Sequence, residues 1–341
     1  LGIDNPSTTS FTTKVPQSYD LSTQDQFQST GMEDIALYTS STSGPSYGHT
    51  FAYVTAGTNG WRVVDVTDPT SPFVVYSFAA SGSPTDYRYL AVDQETGILA
   101  MTDNTQFTDG NQYGFVRFYD LTGDPTHPAR IGQEQLTEAY SGIPGRVALS
   151  GNYAYVSTVM AGLQVVDINA AKNFDPNNPG ASIVGVFDTV GQGFRQPLDI
   201  VVYKGGRAVL TTTSGILLVL DVNQPQYPQL ITAYPGQPPL PAGSYTAWHA
   251  DVAAEYPYID DAGNSQVMDL AVTSGLDGKV YTVDLTDPYN PKSYGPVKNT
   301  DGTDLIVIAT DIKISKTSGL VYLSSGNGVY VIDIKDPKNP K

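Results

Sequence analysis

A glycine, a run of β-branched residues, an aspartate and, in most copies, Asp-Pro with a second proline recur six times along this chain of 341 residues. The first copy runs from Gly60 through Asp65 to Pro72 and the last from Gly328 through Asp333 to Pro340. Between them lie Gly114 to Asp120 to Pro128, Gly162 to Asp167 to Pro179, Gly215 to Asp221 to Pro228, and Gly278 to Asp284 to Pro291. The aspartates are spaced by 55, 47, 54, 63 and 49 residues. A period of that size is too long for a solenoid rung and suits a four-stranded sheet with variable loops.

Each unit divides into four short apolar runs rich in Val, Ile and Tyr and broken by Gly, Asn or Asp-Pro, which is strand-and-turn chemistry with no long helix. In the third unit these runs are Arg146 to Leu149, Tyr153 to Val156, Gly162 to Asp167 and Ile183 to Val186. The expected fold is all-β: a six-bladed β-propeller of four-stranded antiparallel blades in one domain spanning 1–341. Blades are placed at about 31–80, 85–135, 143–190, 195–235, 248–297 and 308–341. The sixth unit stops at Lys341 before a fourth run. A closing segment over 1–30 is expected to complete the last blade with an N-terminal strand, for which Phe11 to Val15 and Ser18 to Leu21 are candidates. Pairing the two ends removes open sheet edges. The alternative is an array that continues past Lys341.

The composition narrows the classes of partner. There are 34 Asp and Glu against 18 Lys and Arg, a formal charge of −16, and this field repels nucleic acid and anionic membrane surfaces. No run of eighteen apolar residues occurs, so no membrane insertion is expected. Cysteine is absent, which excludes thiol catalysis and cysteine–metal sites. The low lysine content with a Ser, Thr, Gly and Tyr bias points to an extracellular or cell-surface location. A start at Leu1 and a stop just after the last repeat phrase suggest neighbouring domains of a longer chain.

The third unit, with Gly151 to Val156 followed by Gly162 to Ile168, resembles the LVIVD repeat of bacterial and archaeal surface proteins, and the resemblance extends over about residues 30 to 340. It implies a propeller on a secreted or cell-surface protein and brings no catalytic residues with it. Tyr89 and Arg146 depart from the pattern, which has aspartate at the start of the first strand, and the fifth unit carries a long insertion.

Two sets of aspartates stand out. Asp65, Asp120, Asp167, Asp221, Asp284 and Asp333 each precede a turn and read as acceptors for turn N–H groups. At the first-strand position stand Asp34, Tyr89, Arg146, Asp199, Asp251 and Asp311, where a propeller places residues next to its axis. Asp34, Asp199, Asp251 and Asp311 are candidate metal ligands, and oxygen-only ligands suit Ca²⁺. The bland reading is that they cap backbone amides or pair with Arg146, Arg88 and Arg195.

Loops entering the first strands are rich in rings and cations. Tyr87, Arg88, Tyr89, Arg146, Phe194, Arg195, Tyr245, Trp248 and His249 are candidate ligand-binding residues around an axial mouth. His249, two residues before Asp251, is a candidate member of an acid/base pair. The resulting expectation is a recognition or scaffold module, not an enzyme, that binds a glycan or protein. The alternatives are a Ca²⁺-dependent hydrolase or lyase using the axial carboxylates, and a structural subunit of an extracellular fibre or sheath.

Overall fold

The computed structural model describes residues 33–78, 85–106, 112–136, 144–159, 161–204, 206–235, 248–275, 277–326 and 328–341. Blade one is β1 (Asp34–Thr39), β2 (Thr50–Thr55), β3 (Trp61–Asp65) and β4 (Phe73–Phe78). Blade two is β5 (Thr85–Asp93), β6 (Ile98–Gln106), β7 (Gln112–Asp120) and β8 (Ala129–Gln135). Blade three is β9 (Pro144–Ser150), β10 (Tyr153–Thr158), β11 (Gly162–Asp167) and β12 (Ile183–Phe187), with one helical turn, α1 (Ile168–Ala171), between the last two strands. Blade four is β13 (Pro197–Tyr203), β14 (Arg207–Thr212), β15 (Leu217–Asp221) and β16 (Gln229–Tyr234). Blade five is β17 (His249–Ile259), β18 (Ser265–Ser274), β19 (Val280–Asp284) and β20 (Lys292–Pro296). Blade six has β21 (Ala309–Ser315), β22 (Leu320–Ser325) and β23 (Gly328–Asp333).

Every blade is an antiparallel meander in sequence order, four-stranded in the first five and three-stranded among the described residues of the sixth. The protein is an all-β, six-bladed propeller. The N-terminal strand expected to complete blade six falls in 1–32, outside the described residues.

The repeat phrase works through hydrogen bonds. Each of the six third-strand aspartates accepts, through Oδ1, the backbone N–H two residues on: Asp65 from Thr67, Asp120 from Thr122, Asp167 from Asn169, Asp221 from Asn223, Asp284 from Thr286 and Asp333 from Lys335, all at 2.8–2.9 Å. This Asx geometry turns the chain out of strand three. The glycine that opens the third strand is equally constrained in blade three: Gly162 has φ 80°, and a Cβ there would lie 2.1 Å from the Phe187 carbonyl oxygen.

The core lies between blades, because alternation along each strand makes both faces of a sheet apolar. Blades one and two share Tyr38, Tyr53, Trp61, Leu90, Leu99 and Tyr119. Blades two and three bury Val116, Phe118, Val147 and Val156 together. Blades three and four meet through Tyr155, Leu163, Ile200, Leu210 and Leu218. The next two interfaces centre on Val209, Val219 and Ala271, and on Leu270, Val280, Ile312 and Leu323.

Two substitutions test this division of labour. Leu218→Ala empties a fully buried position between blades and should cost about 2–5 kcal/mol. Asp221→Ala removes a turn acceptor and should cost about 1 kcal/mol. Urea unfolding of both variants gives the comparison, and equal costs would contradict it.

Candidate functional site at the axis

The first strand of each blade lines the axis, and residues in its first half, among them Asp34, Arg146, Asp199 and Asp251, approach one another there. Arg146, from β9 of blade three, lies at the centre. Its Nη1 is 3.7 Å from Asp34 Oδ1 and 3.3 Å from Asp311 Oδ1, and its Nε is 3.6 Å from Asp199 Oδ1. Its Nη2 donates to the Thr310 carbonyl at 3.0 Å, and the guanidinium lies 5.2 Å from the centre of the Tyr89 ring. One side chain of blade three thus ties together residues of blades one, two, four and six. Burial opposes its charge, but Asp199, Asp311 and Asp34 outweigh that effect and hold the guanidinium firmly protonated.

The carboxylates have a second task. Each accepts through Oδ1 the N–H of the residue that follows it: Ile35, Ile200, Val252 and Ile312, at 2.9–3.0 Å. Through Oδ2, Asp34 accepts from Leu90 N at 3.0 Å, Asp199 from Ala250 N at 3.4 Å and Asp251 from Ile314 N at 2.7 Å. Each of these three donors belongs to the first strand of the next blade, so the aspartates staple neighbouring blades at the hub.

Burial raises the Asp34 and Asp251 carboxyls, opposed by Arg146 at Asp34 and by Lys313 at Asp251. For Asp199, burial pushes the same way, but Arg146 and then His249 prevail and hold its carboxyl below the usual range.

Asp34, Asp199, Asp251 and Asp311, the candidate Ca²⁺ ligands, thus have other partners at the hub. Among the described residues no three carboxylate or histidine side chains gather as a metal site. The oxygens are directed to backbone N–H groups and to Arg146, and Lys313 Nζ adds a second cation 3.7 Å from Asp311 Oδ1.

The ligand-binding candidates do not all meet at the mouth. Tyr89, Arg146 and His249 line the mouth. Trp248 is half-buried beside His249, with ring centres 6.2 Å apart. Tyr87 and Phe194 are buried in the cores between blades one and two and between blades three and four, so neither meets a ligand. Arg88 is turned to Asp86, with Nη2 to Oδ2 at 2.6 Å. Arg195 is exposed, at φ 63°, and Tyr245 lies outside the described residues. The expected pairing of His249 with Asp251 is replaced by one across blades: His249 Nδ1 is 3.4 Å from Asp199 Oδ2, an ion-pair distance without hydrogen-bond geometry.

Arg146 lines two cavities. The mouth, of about 690 Å³, is bounded by Glu33, Tyr89, His249, Thr310, Asp311 and Ser324. The axial channel, of about 570 Å³, has aliphatic walls that include Leu37, Val92, Leu149 and Val202, with Lys313 and Asp251 facing it. Sequence reasoning missed Lys313, Thr310 and Ser324. Lys313 carried a signal: it stands two residues after Asp311, on the same side of the first strand.

Arg146→Met would remove the largest compensating charge from the buried Asp34 and Asp199 carboxylates and should destabilise the fold by about 3–5 kcal/mol at pH 7. The depressed Asp199 carboxyl stabilises the native state above the ordinary carboxylate range and loses that contribution as pH falls through its folded value. In the variant these carboxyls take up protons more readily, so the penalty should shrink by pH 4. Denaturant unfolding at the two pH values measures it, and an unchanged penalty would rule out a charge-based role.

The LVIVD repeat model matches residues 48–80 and 141–182, within units one and three. None of the curated proteins compared with the chain matches it. Among solved structures, the Saccharomyces cerevisiae protein Sqt1 is 10% identical over 85% of this chain and 81% of its own, with TM-score 0.50. The WD40 β-propeller domain of Doa1 is 11% identical over 90% and 94%, with TM-score 0.42. At such identities the likeness to Sqt1 concerns the fold alone. The chain is a six-bladed β-propeller with matches to the LVIVD repeat within two of its units.

Proposed function

We propose that this propeller is a non-enzymatic recognition module of a secreted or cell-surface protein, and that its mouth takes a glycan. The observation that carries the reading is the plugged hub. Arg146 and its carboxylates are engaged with one another and with backbone N–H groups, which commits these carboxylates to structure and not to general-base work. Above the plug, a phenol ring, an imidazole, carboxylates and the Thr310 and Ser324 hydroxyls, 2.9 Å apart, border one cavity. Rings beside mixed donors and acceptors suit sugar hydroxyls and the apolar faces of pyranose rings. The acidic charge and the composition favour a neutral ligand and an extracellular setting.

A protein ligand on the opposite face is the second reading. It rests on Tyr227 and Tyr289, both widely exposed in the turns between strands three and four of neighbouring blades.

An array of neutral oligosaccharides, followed by calorimetry on any hit, separates the two readings. Tyr89→Ala and His249→Ala should each weaken glycan binding at least about 10-fold, and Tyr227→Ala should not. Absence of any binder on the array, or loss confined to Tyr227→Ala, would overturn the mouth as the site.

A further inference from the structure

The hub aspartates are not equivalent. Asp34, Asp199 and Asp251 each accept one backbone N–H of their own strand through Oδ1 and one of the next blade through Oδ2. Asp311 does only the first. Its Oδ1 takes the Ile312 N–H at 2.9 Å and lies 3.3 Å from Arg146 Nη1 and 3.7 Å from Lys313 Nζ. Its Oδ2 receives no hydrogen bond among the described residues. The Asp311 side chain is also 22% exposed, against 7% for Asp34 and 6% for Asp199. It borders the mouth and not the channel, whereas Asp199 and Asp251 border the channel and not the mouth.

Structure alone does not account for a carboxylate placed this way. Partial burial penalises its charge, and no backbone donor offsets that at Oδ2. The hub does not need the charge either. Four carboxylates there face Arg146 and Lys313, with His249 beside Asp199, so a fourth negative group adds repulsion. The surroundings of Asp311 are polar in turn. Ser324 stands across from it in the register of β21 and β22, and Ser324 Oγ lies 2.9 Å from Thr310 Oγ1. All three residues border the mouth, and all belong to blade six. Two paired hydroxyls share one hydrogen and keep the other, with spare lone pairs, for a further partner. The repeat does not demand this polarity: the residue ahead of the hub aspartate is Leu198 in blade four and Ala250 in blade five, where blade six has Thr310.

We infer that Asp311 is the residue through which the mouth selects its sugar. Its Oδ2 accepts a hydrogen bond from one ligand hydroxyl, and the Thr310 and Ser324 pair addresses a neighbouring one. This role rests on the glycan reading above and narrows it to sugars whose hydroxyl at that position is unsubstituted. A deoxy sugar would leave Oδ2 desolvated without a donor. A site built on such a bond rejects the analogue lacking the hydroxyl far more strongly than an apolar pocket rejects a changed methylene.

Calorimetry with four neutral trisaccharides (maltotriose, cellotriose, mannotriose and galactotriose) and with monodeoxy analogues of the best binder tests the assignment. Asp311→Asn keeps the side-chain shape and an acceptor for the Ile312 N–H, but turns an amide NH₂ to the ligand. It should weaken trisaccharide binding at least about 10-fold. One monodeoxy analogue should lose at least about 10-fold with the unmodified protein and nothing further with Asp311→Asn, because both changes remove the same bond. Unaltered binding by the variant, or losses that simply add, would overturn the role of Asp311 and leave the glycan reading standing. Failure of all four trisaccharides to bind the unmodified protein would overturn both. Urea midpoints of the ligand-free protein separate binding from structure. Asp251→Asn turns a donor towards the Ile314 N–H and should lower the midpoint, whereas Asp311→Asn should not. An equal fall in the two variants would make Asp311 a structural residue and overturn its selective role.

Discussion

A β-sheet with two apolar faces cannot be stable alone, and that constraint organises everything else in this molecule. Each blade has one face of alternating Val, Leu and aromatic residues to give to the blade behind and another for the blade ahead. Only a closed arrangement covers every such face. Stability is therefore a property of interfaces between repeats, and any interface left bare weakens the two blades that border it.

Polar residues steer this packing. Aspartate is used at two repeated positions for two purposes. At the end of strand three it folds the turn of its own blade, a local job within two residues. At the start of strand one it reaches into the next blade, binding residues more than fifty positions away. A buried carboxylate bonded to several N–H groups is well solvated by protein. The hub nevertheless accumulates like charge as blades converge. Arg146, placed where four of the other units have aspartate, supplies the opposite charge from within the chain.

The six units, their strand runs and the turn role of the third-strand aspartates were legible in the sequence, because each depends on period-two alternation or on contacts within a few residues. The partners of the hub were not. That Arg146 reaches Thr310 and that His249 turns to Asp199 and not Asp251 follow from the curvature of the ring, which no local pattern encodes. Tyr87 misled for a different reason. The apolar run in blade two begins at Tyr89, but the strand begins at Thr85 and carries a bulge between Tyr87 and Leu90. The bulge reverses the facing of the side chains upstream, so a residue that reads as a loop aromatic becomes core. Phe194 sits in a glycine-flanked loop that folds back beneath its own blade, its carbonyl accepting from Ser214 Oγ at 2.8 Å.

The same hub that stabilises the ring limits what it can do. A channel open from end to end would place the aliphatic walls below Arg146 in contact with whatever enters at the mouth. Arg146 borders both cavities: Tyr89, His249 and the blade-six hydroxyls join it at the mouth, whereas Leu37, Val92, Leu149 and Val202 join it in the channel beside Asp199, Asp251 and Lys313. The mouth is bordered by side chains contributed by different blades: a ring from blade two, an imidazole from blade five, hydroxyls from blade six. Since Asp34, Asp199 and Asp251 are committed to holding blades together, variation can act on the remaining positions without opening the ring. A repeat in which two units depart from the rule, with Tyr89 and Arg146, can therefore close a hub that an ideal six-fold array of aspartates could not, because like charges alone would repel one another at the axis.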